Sequence, residues 1–516
     1  MMIATNNNTT AATIITTFLL LITQPHQSTA AAATVDSTQH RLLSDQLTSQ
    51  IYQNPNEFSS ALGVSMAFSL IYPGSTNDAM DEIRNVFGYY LNDDGNTTKQ
   101  LVWEEVSISL TTRADGACDG SVVVDEKDDG TTTCYGSTRP LLSIANSVWI
   151  DDGDALDADY DAIVGKYAKQ IDFQSTDAPK VVNQWVNNQT NGLIESIVQE
   201  DVPLPGVLIA INSIYLKASW AKQFLEGNTN LDSFYSSPSR NSEVAKAHFM
   251  HQVGEFRHSH DVLAGYQVVQ LPFASSSMSM VIVLPTTSND DMAPIPSTRL
   301  LPALNDLKDT NVALALPKFK FESMYDDTLK GALQNIGIVS PFKGGTQSLC
   351  GIFAADTYPC NQLFISRVLQ KTVVDVNEEG VEAAAVTAIF IEKTSFDLDK
   401  PDPVLMIMDH PFQFFIYDQD DELVLFEGRL GETEVPDGEP AASLLDSVHV
   451  DEDFWQSSFG VNPVNPPTTA TNDSSAPFGN PPTTATKDSS APFGSTVRSA
   501  LALLVGMSTL SLVLVM

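Results

Sequence analysis

Residues Glu378–Ser395 read EEGVEAAAVTAIFIEKTS. Helix propensity favours Ala383, Ala384 and Ala385 as part of a helix. Gly380 stands at the head of the run, however, and Val386, Thr387, Ile389 and Ile391 prefer an extended strand. Written as a strand, Val381, Ala383, Ala385, Thr387, Ile389 and Ile391 fall on one face, and every one is small or apolar. Glu382, Ala384, Val386, Ala388, Phe390 and Glu392 fall on the other, which suits a partly covered surface. No proline interrupts the ladder before Pro401. The stretch thus reads either as a helix or as a strand with one face that could be buried in a sheet.

The flanking sequence carries further strand and helix patterns. Strand-like apolar runs occur at Leu141–Ile150, Val207–Leu216, Tyr266–Phe273, Met278–Leu284 and Val312–Leu316. Helical patterns occupy much of Thr38–Phe87, with a stop at Pro73-Gly74, and recur at Val181–Glu200 and Asp326–Ile336. Leu91–Thr133 contains an acidic, glycine-rich insertion expected as an exposed loop. Helices and strands do not alternate strictly, so the expected class is α+β around a large sheet.

The 516 residues carry a formal charge of −37, which excludes nucleic acid as a partner because its phosphates require basic surface. Residues 1–30 have the pattern of a secretory signal, with apolar Ala11–Thr23 followed by small residues and cleavage after Ala30. Past a domain expected at 38–432, residues 433–496 read as a Pro/Thr/Ser-rich stalk in which NPPTTATNDSSAPFG is followed by NPPTTATKDSSAPFG. The tail, 497–516, is apolar to its last residue. It reads as a glycolipid (GPI) anchor signal with Ser489 as attachment candidate, or as a plain membrane helix. Both place the protein outside the cell, secreted or held at the cell surface.

Cysteine usage agrees with that compartment. Cys118, Cys134, Cys350 and Cys360 allow three connectivities, of which the two local pairs, 118 with 134 and 350 with 360, would each staple one loop. Asn96, Asn188 and Asn472 lie in N-glycosylation sequons. No Gly-x-Ser-x-Gly elbow, His-Glu-x-x-His helix or Walker loop occurs, so neither an enzyme nor a cofactor is expected. HFMHQVGEFRHSH, with His248, His251, His258 and His260, is the one cluster resembling a metal site. Solvent-facing and core histidines on strands or their turn account for it better, and no metal is assigned.

Several motifs carry a family resemblance. Asn212–Trp220, NSIYLKASW, resembles the serpin signature Asn-x-x-Tyr/Phe-Phe-Lys-Gly-x-Trp. Trp185–Gly192, WVNNQTNG, is similar to the family's Trp-Val-x-x-Gln-Thr-Asn-Gly, and Leu316–Lys320 to its Leu-Pro-Lys-Phe-Lys. Asp375–Gly380, His410-Pro411-Phe412 and Phe426–Arg429 complete the pattern in family order.

The resemblance implies the serpin fold, with three β-sheets, about nine helices and an exposed reactive-centre loop. It implies a monomer that inhibits serine proteases, and sometimes cysteine proteases, as a suicide substrate; the alternative is a non-inhibitory carrier, chaperone or protease substrate. The hinge would comprise Glu379, Gly380, Val381, Glu382, Ala383, Ala384, Ala385, Val386 and Thr387. Family spacing puts the attacked residue fourteen positions after Gly380, so the scissile bond is Thr394–Ser395, which suits an elastase- or subtilisin-like protease. A register one shorter selects Lys393 and a trypsin-like protease. Where serpins carry Ser-Pro-x-Ser beneath the opening sheet, this chain has Ser60-Ala61-Leu62-Gly63, and the usual histidine of the strand before the loop is Gln370. Ser60, Asn212 and Gln370 are then expected to form the polar cluster where the sheet opens.

Overall fold

The computed structural model describes residues 37–465 with gaps. Within 90–139 it places only Trp103, Leu110 and one hairpin, and it omits 382–401, 434–451 and the short stretches 154, 191, 288–293, 356–357 and 460. A six-stranded sheet runs, edge to edge, β12 (Phe319–Tyr325), β13 (Ile365–Val376), β14 (Gly380–Val381), β6 (Leu208–Ser219), β4 (Leu141–Asp151) and β5 (Ala168–Ile171). The edge strand β12 buries alternate residues, whereas β6 is buried along most of its length, as a central strand covered on both faces must be.

Two different cores cover those faces. On one side lies α2 (Ala61–Ile71), ALGVSMAFSLI, all of whose residues are buried; Ser60 caps it by accepting a hydrogen bond from the Gly63 N–H. Ala210, Ile214, Leu216 and Ala218 of β6 join this main core. On the other side α5 (Ala178–Gln189) packs Val182 and Val186 with Trp149, Ile209, Ile211 and Leu369. The period-2 alternation of β6 thus decides which loop residues would meet which core.

A nine-stranded sheet follows the order β1 (Glu57–Ser59), β17 (Leu423–Leu430), β16 (Phe412–Asp418), β10 (Met278–Pro285), β9 (Tyr266–Pro272), β8 (Glu243–Ser259), β11 (Lys308–Pro317) and β15 (Val404–Ile407), with β7 (Thr229–Tyr235) also on β8. The long strand β8 pairs with β7, β9 and β11, so two of the three expected sheets are continuous through it. A separate hairpin joins β2 (Val124–Glu126) and β3 (Thr132–Cys134).

Eight helices lie among the described residues, against about nine expected. They are α2 and α5 with α1 (Ser37–Ile51), α3 (Asn77–Phe87), α4 (Ala158–Val164), α6 (Ser297–Ala303), α7 (Asp327–Asn335) and α8 (Glu452–Phe459). In α1, Leu43, Leu47 and Ile51 recur every four residues and are buried, which is the stripe an amphipathic helix presents.

Three local expectations are revised. The helix read over Val181–Glu200 stops at Gln189, because Asn183 offers the following chain another partner: its Oδ1 accepts from the N–H groups of Ile197 and Val198. The insertion expected as an exposed loop sends Trp103 into the core, where its indole N–H donates to Ser65 Oγ at 2.7 Å. Part of the region read as stalk folds as α8 and buries Trp455, since Phe454, Trp455 and Phe459 supply an apolar face that the repeats lack.

Candidate functional site

The site begins where two strands part. β13 and β6 are parallel neighbours, paired from Ile365 with Leu208 to Thr372 with Ile214. Beyond that point β14 stands between them: Gly380 lies opposite Ser219, and Val381 opposite both Ala218 and Val376. The first two residues of the segment that opens this account are therefore already a strand of the sheet. β14 is antiparallel to both neighbours.

A tight turn aims the segment into the gap. The Asn377 side-chain Oδ1 accepts from the N–H groups of Glu379 and Gly380, and the Asn377 N–H donates to Gly380 O at 3.0 Å. Position 380 must be glycine for lack of space, since a Cβ there would stand 1.9 Å from Ala218 O. Trp220 holds the turn from outside, its indole N–H donating to Asn377 O and its backbone N–H to Glu379 O, both at 2.9 Å.

Two neighbouring carboxylates meet opposite fates. Glu378 accepts from Thr229 Oγ1 at 2.8 Å and pairs with Lys318 Nζ at 2.9 Å. Burial works to raise its carboxyl, but the Lys318 and Thr229 hydrogen bonds outweigh burial and hold it below the ordinary value. Glu379 is raised, by burial and then by the nearby Glu226 charge, and its Oε2 is buried without a hydrogen-bond partner. The turn thus carries one carboxylate that anchors it and one that burdens it.

Deeper in the sheet, Ser60, Asn212 and Gln370 come together, each almost fully buried. Gln370 Nε2 donates to Ser60 O at 2.8 Å and to Asn212 Oδ1 at 2.7 Å, while its Oε1 accepts from the Ser60 N–H at 3.1 Å. Asn212 Nδ2 donates to Asn146 Oδ1, which extends the chain to β4. A primary amide both donates and accepts, so Gln370 satisfies this environment without a titrating group. Gly63 makes room for it, since a Cβ there would stand 2.3 Å from Asn212 Oδ1.

Sequence reasoning missed Asn146, Lys318 and Thr229, whose roles appear only once strands distant in the chain lie side by side. Trp220 and Lys318 did carry a signal, as members of the quoted motifs. The scissile-bond candidates Lys393, Thr394 and Ser395 lie outside the described residues, as do Glu382–Thr387 of the hinge, Asn96, Asn472, Ser489 and Cys118. Cys350 and Cys360 are joined in a disulfide; Cys134 ends β3. Asn188 is exposed in the last turn of α5. His251 Nδ1 binds Asn228 O, His258 Nε2 binds Gln267 Oε1 and His260 Nε2 lies beside Asp261, while His251 Nε2 is buried without a hydrogen-bond partner. What this geometry can do is mechanical: it is a sheet with a slot opened at one end and a strand poised at its mouth.

Comparison with known proteins agrees with that architecture. The family model described as Serpin (serine protease inhibitor) matches residues 40–432. Iripin-8 of Ixodes ricinus is 29% identical over 385 residues, covering 73% of this chain and 87% of its own length. Human antithrombin-III is 27% identical over 390 residues, covering 73% and 76%. Among solved structures, human thyroxine-binding globulin superposes with a TM-score of 0.61 at 22% identity, over 77% of this chain and 98% of that one. With the slot, the turn and the matched length together, the chain belongs to the serpin family.

Proposed function

We propose that this protein inhibits serine proteases by a suicide-substrate mechanism in which the cut loop inserts into the six-stranded sheet. The observation that carries the reading is β14, lodged between β6 and β13 above a parallel pair that it can separate. Continuing its register, Ala383 would stand beside Leu216 and Val374, Ala385 beside Ile214 and Thr372, and Thr387 beside Asn212 and Gln370. Leu216 and Ile214 belong to the core over α2, so the small side chains meet the tightly filled side. The Thr387 hydroxyl meets the polar cluster and can replace the Gln370–Asn212 hydrogen bond that insertion breaks.

Attack by the protease serine on the Thr394 carbonyl forms an acyl-ester and frees Ser395 as a new amino terminus. Val381 and Thr394 lie thirteen positions apart, roughly 43 Å as strand, which carries the attached protease from one end of the sheet to the other. Distortion of the protease before water reaches the ester completes the trap. Elastase- and subtilisin-like proteases fit Thr394, and a trypsin-like protease fits Lys393. Incubation with each class should give a covalent complex that survives SDS for at least one; cleavage without complex for every responsive protease would sink the reading. Sequencing the released peptide identifies the bond.

A second reading, a serpin-fold protein that is cut but does not inhibit, is favoured by Gln370, whose three hydrogen bonds clamp the sheet where it must open. The same assay separates the two. The tail motif supports a place at the cell surface through a lipid anchor. Release from cells by a phospholipase specific for that anchor tests it, and full retention would point to a spanning helix.

A further inference from the structure

The serpin match ends at Glu432, yet the chain returns to that domain at Glu452. Trp455 of α8 is 2% exposed within the main core, and Phe454, Phe459 and Val461 pack against it. The His251 ring on β8 lies between two of these aromatics, 4.7 Å from Phe454 and edge-on to Trp455 at 5.4 Å. Beyond the helix, Val464 runs alongside Val404 in a parallel bridge. Its N–H donates to Pro403 O and its carbonyl accepts from the Leu405 N–H, both at 2.9 Å.

β15 is the strand so gripped. It is four residues long, lies at the edge of its sheet and is the first element after the loop. Its other support is parallel pairing with β11, from Val312 with Val404 to Ala315 with Ile407. The contacts of Val464 add a second rail on the open side, and burial of the α8 aromatics fastens that rail to β8.

We propose that Glu452–Val464 is an intramolecular strap that keeps β15 in its sheet, so that the loop enters the six-stranded sheet only after it has been cut. The proposal rests on the insertion reading above. In the register of β14, loop residues 382–391 descend β6 from Lys217 to Leu208, a run of roughly 33 Å. In an uncut chain, residues 392–403 reach at most about 43 Å when fully stretched. They must climb back that distance, round the end of one sheet and cross to the other. Releasing β15 supplies the missing slack, about four residues at ~3.5 Å each. A cut loop needs none of it, so the strap opposes insertion of the intact loop and leaves the inhibitory route open.

The test uses the full-length, uncut protein beside Trp455→Ala and Val464→Pro, the second because proline cannot donate to Pro403 O. One readout is hydrogen exchange of the β15 amides, above all Leu405, whose acceptor is Val464 O. The other is the rate at which warmed protein, without protease, converts to a heat-resistant monomer no longer cut in its loop. Both variants should exchange at Leu405 about tenfold faster, as expected for an edge strand that frays locally. They should also convert several-fold faster, with unchanged complex formation by fresh protein. Unchanged exchange overturns the strap, and so does faster exchange with an unchanged conversion rate. If the wild-type chain forms no protease complex, the inhibitory reading fails, while exchange and conversion still decide this one.

Discussion

Glu378 and Glu379 show how adjacent residues of one type acquire opposite roles from their surroundings. Glu378 reaches Lys318 and Thr229, while Glu379 has Glu226 nearby and an unpaired buried oxygen. The folded value of Glu378 lies below its ordinary 4.5, so its contribution is present above that value and is lost as the pH falls through the folded one. Glu378→Gln should therefore destabilise the intact protein at pH 7 by about 1 kcal/mol, and the difference from wild type should shrink as the pH falls below 4.5. Glu379 has the opposite sign: its folded value lies above 4.5, so ionisation opposes folding at neutral pH and Glu379→Gln should stabilise. That gain shrinks as the pH falls through the raised value. Thermal melts of both variants from pH 8 to 3.5 check the pair. Nothing in the repeated Glu-Glu distinguishes these residues until Lys318, sixty positions away, is brought to one of them.

At the scale of elements, the loop and the slot match through alternation. Inward positions of the extended register meet Ile214 and Thr372, both fully buried, so the segment tolerates alanine there and little else. Ala385→Arg would drive an unpaired guanidinium into that face, at a cost of several kcal/mol. The variant should still be cut at the same bond, yet give at least about tenfold less covalent complex. Unchanged complex formation would count against strand insertion. The small and apolar set from Val381 to Ile391 was readable from its period of two. The parallel pairing of β6 with β13 was not, because strands separated by some 150 residues declare no partner in their own patterns. Likewise Phe454, Trp455 and Phe459 were read within the stalk, and only their packing against His251 gave them a place.

For the whole molecule, the proposed insertion requires that the native state is not the lowest in free energy once the loop is cut. About a dozen inserted residues each gain ladder hydrogen bonds, at ~0.5–1.5 kcal/mol apiece before ordering is counted. A domain matched over residues 40–432 shifts by only ~1–2 °C in Tm per kcal/mol, from an unfolding entropy of ~2.1 cal/mol/K per residue. If the cut loop inserts, the nicked protein should melt above the intact one by several degrees, measured by circular dichroism after cleavage at the loop. Equal melting temperatures would remove the driving force of the trap. A second global property follows from buried imidazoles. Burial, ahead of all other influences, lowers both His40 and His251 from 6.5 to about 4. For such groups the unfolded chain binds the extra proton, so stability should fall progressively from pH 6.5 towards 4. Replacing His251 by Phe should flatten part of that slope in melts across the same range.

The sequence by itself determined the family motifs, the α+β class, the acidic surface and a proline-free segment with one small apolar face. These are local properties, set by residue type and spacing. Tertiary structure alone decided that this segment enters between β6 and β13, that Gln370 closes the polar cluster with Ser60 and Asn212, and that a stretch beyond the matched domain grips β15. Each depends on which distant strands lie side by side, and pairing between distant strands is fixed by the packing of the whole chain.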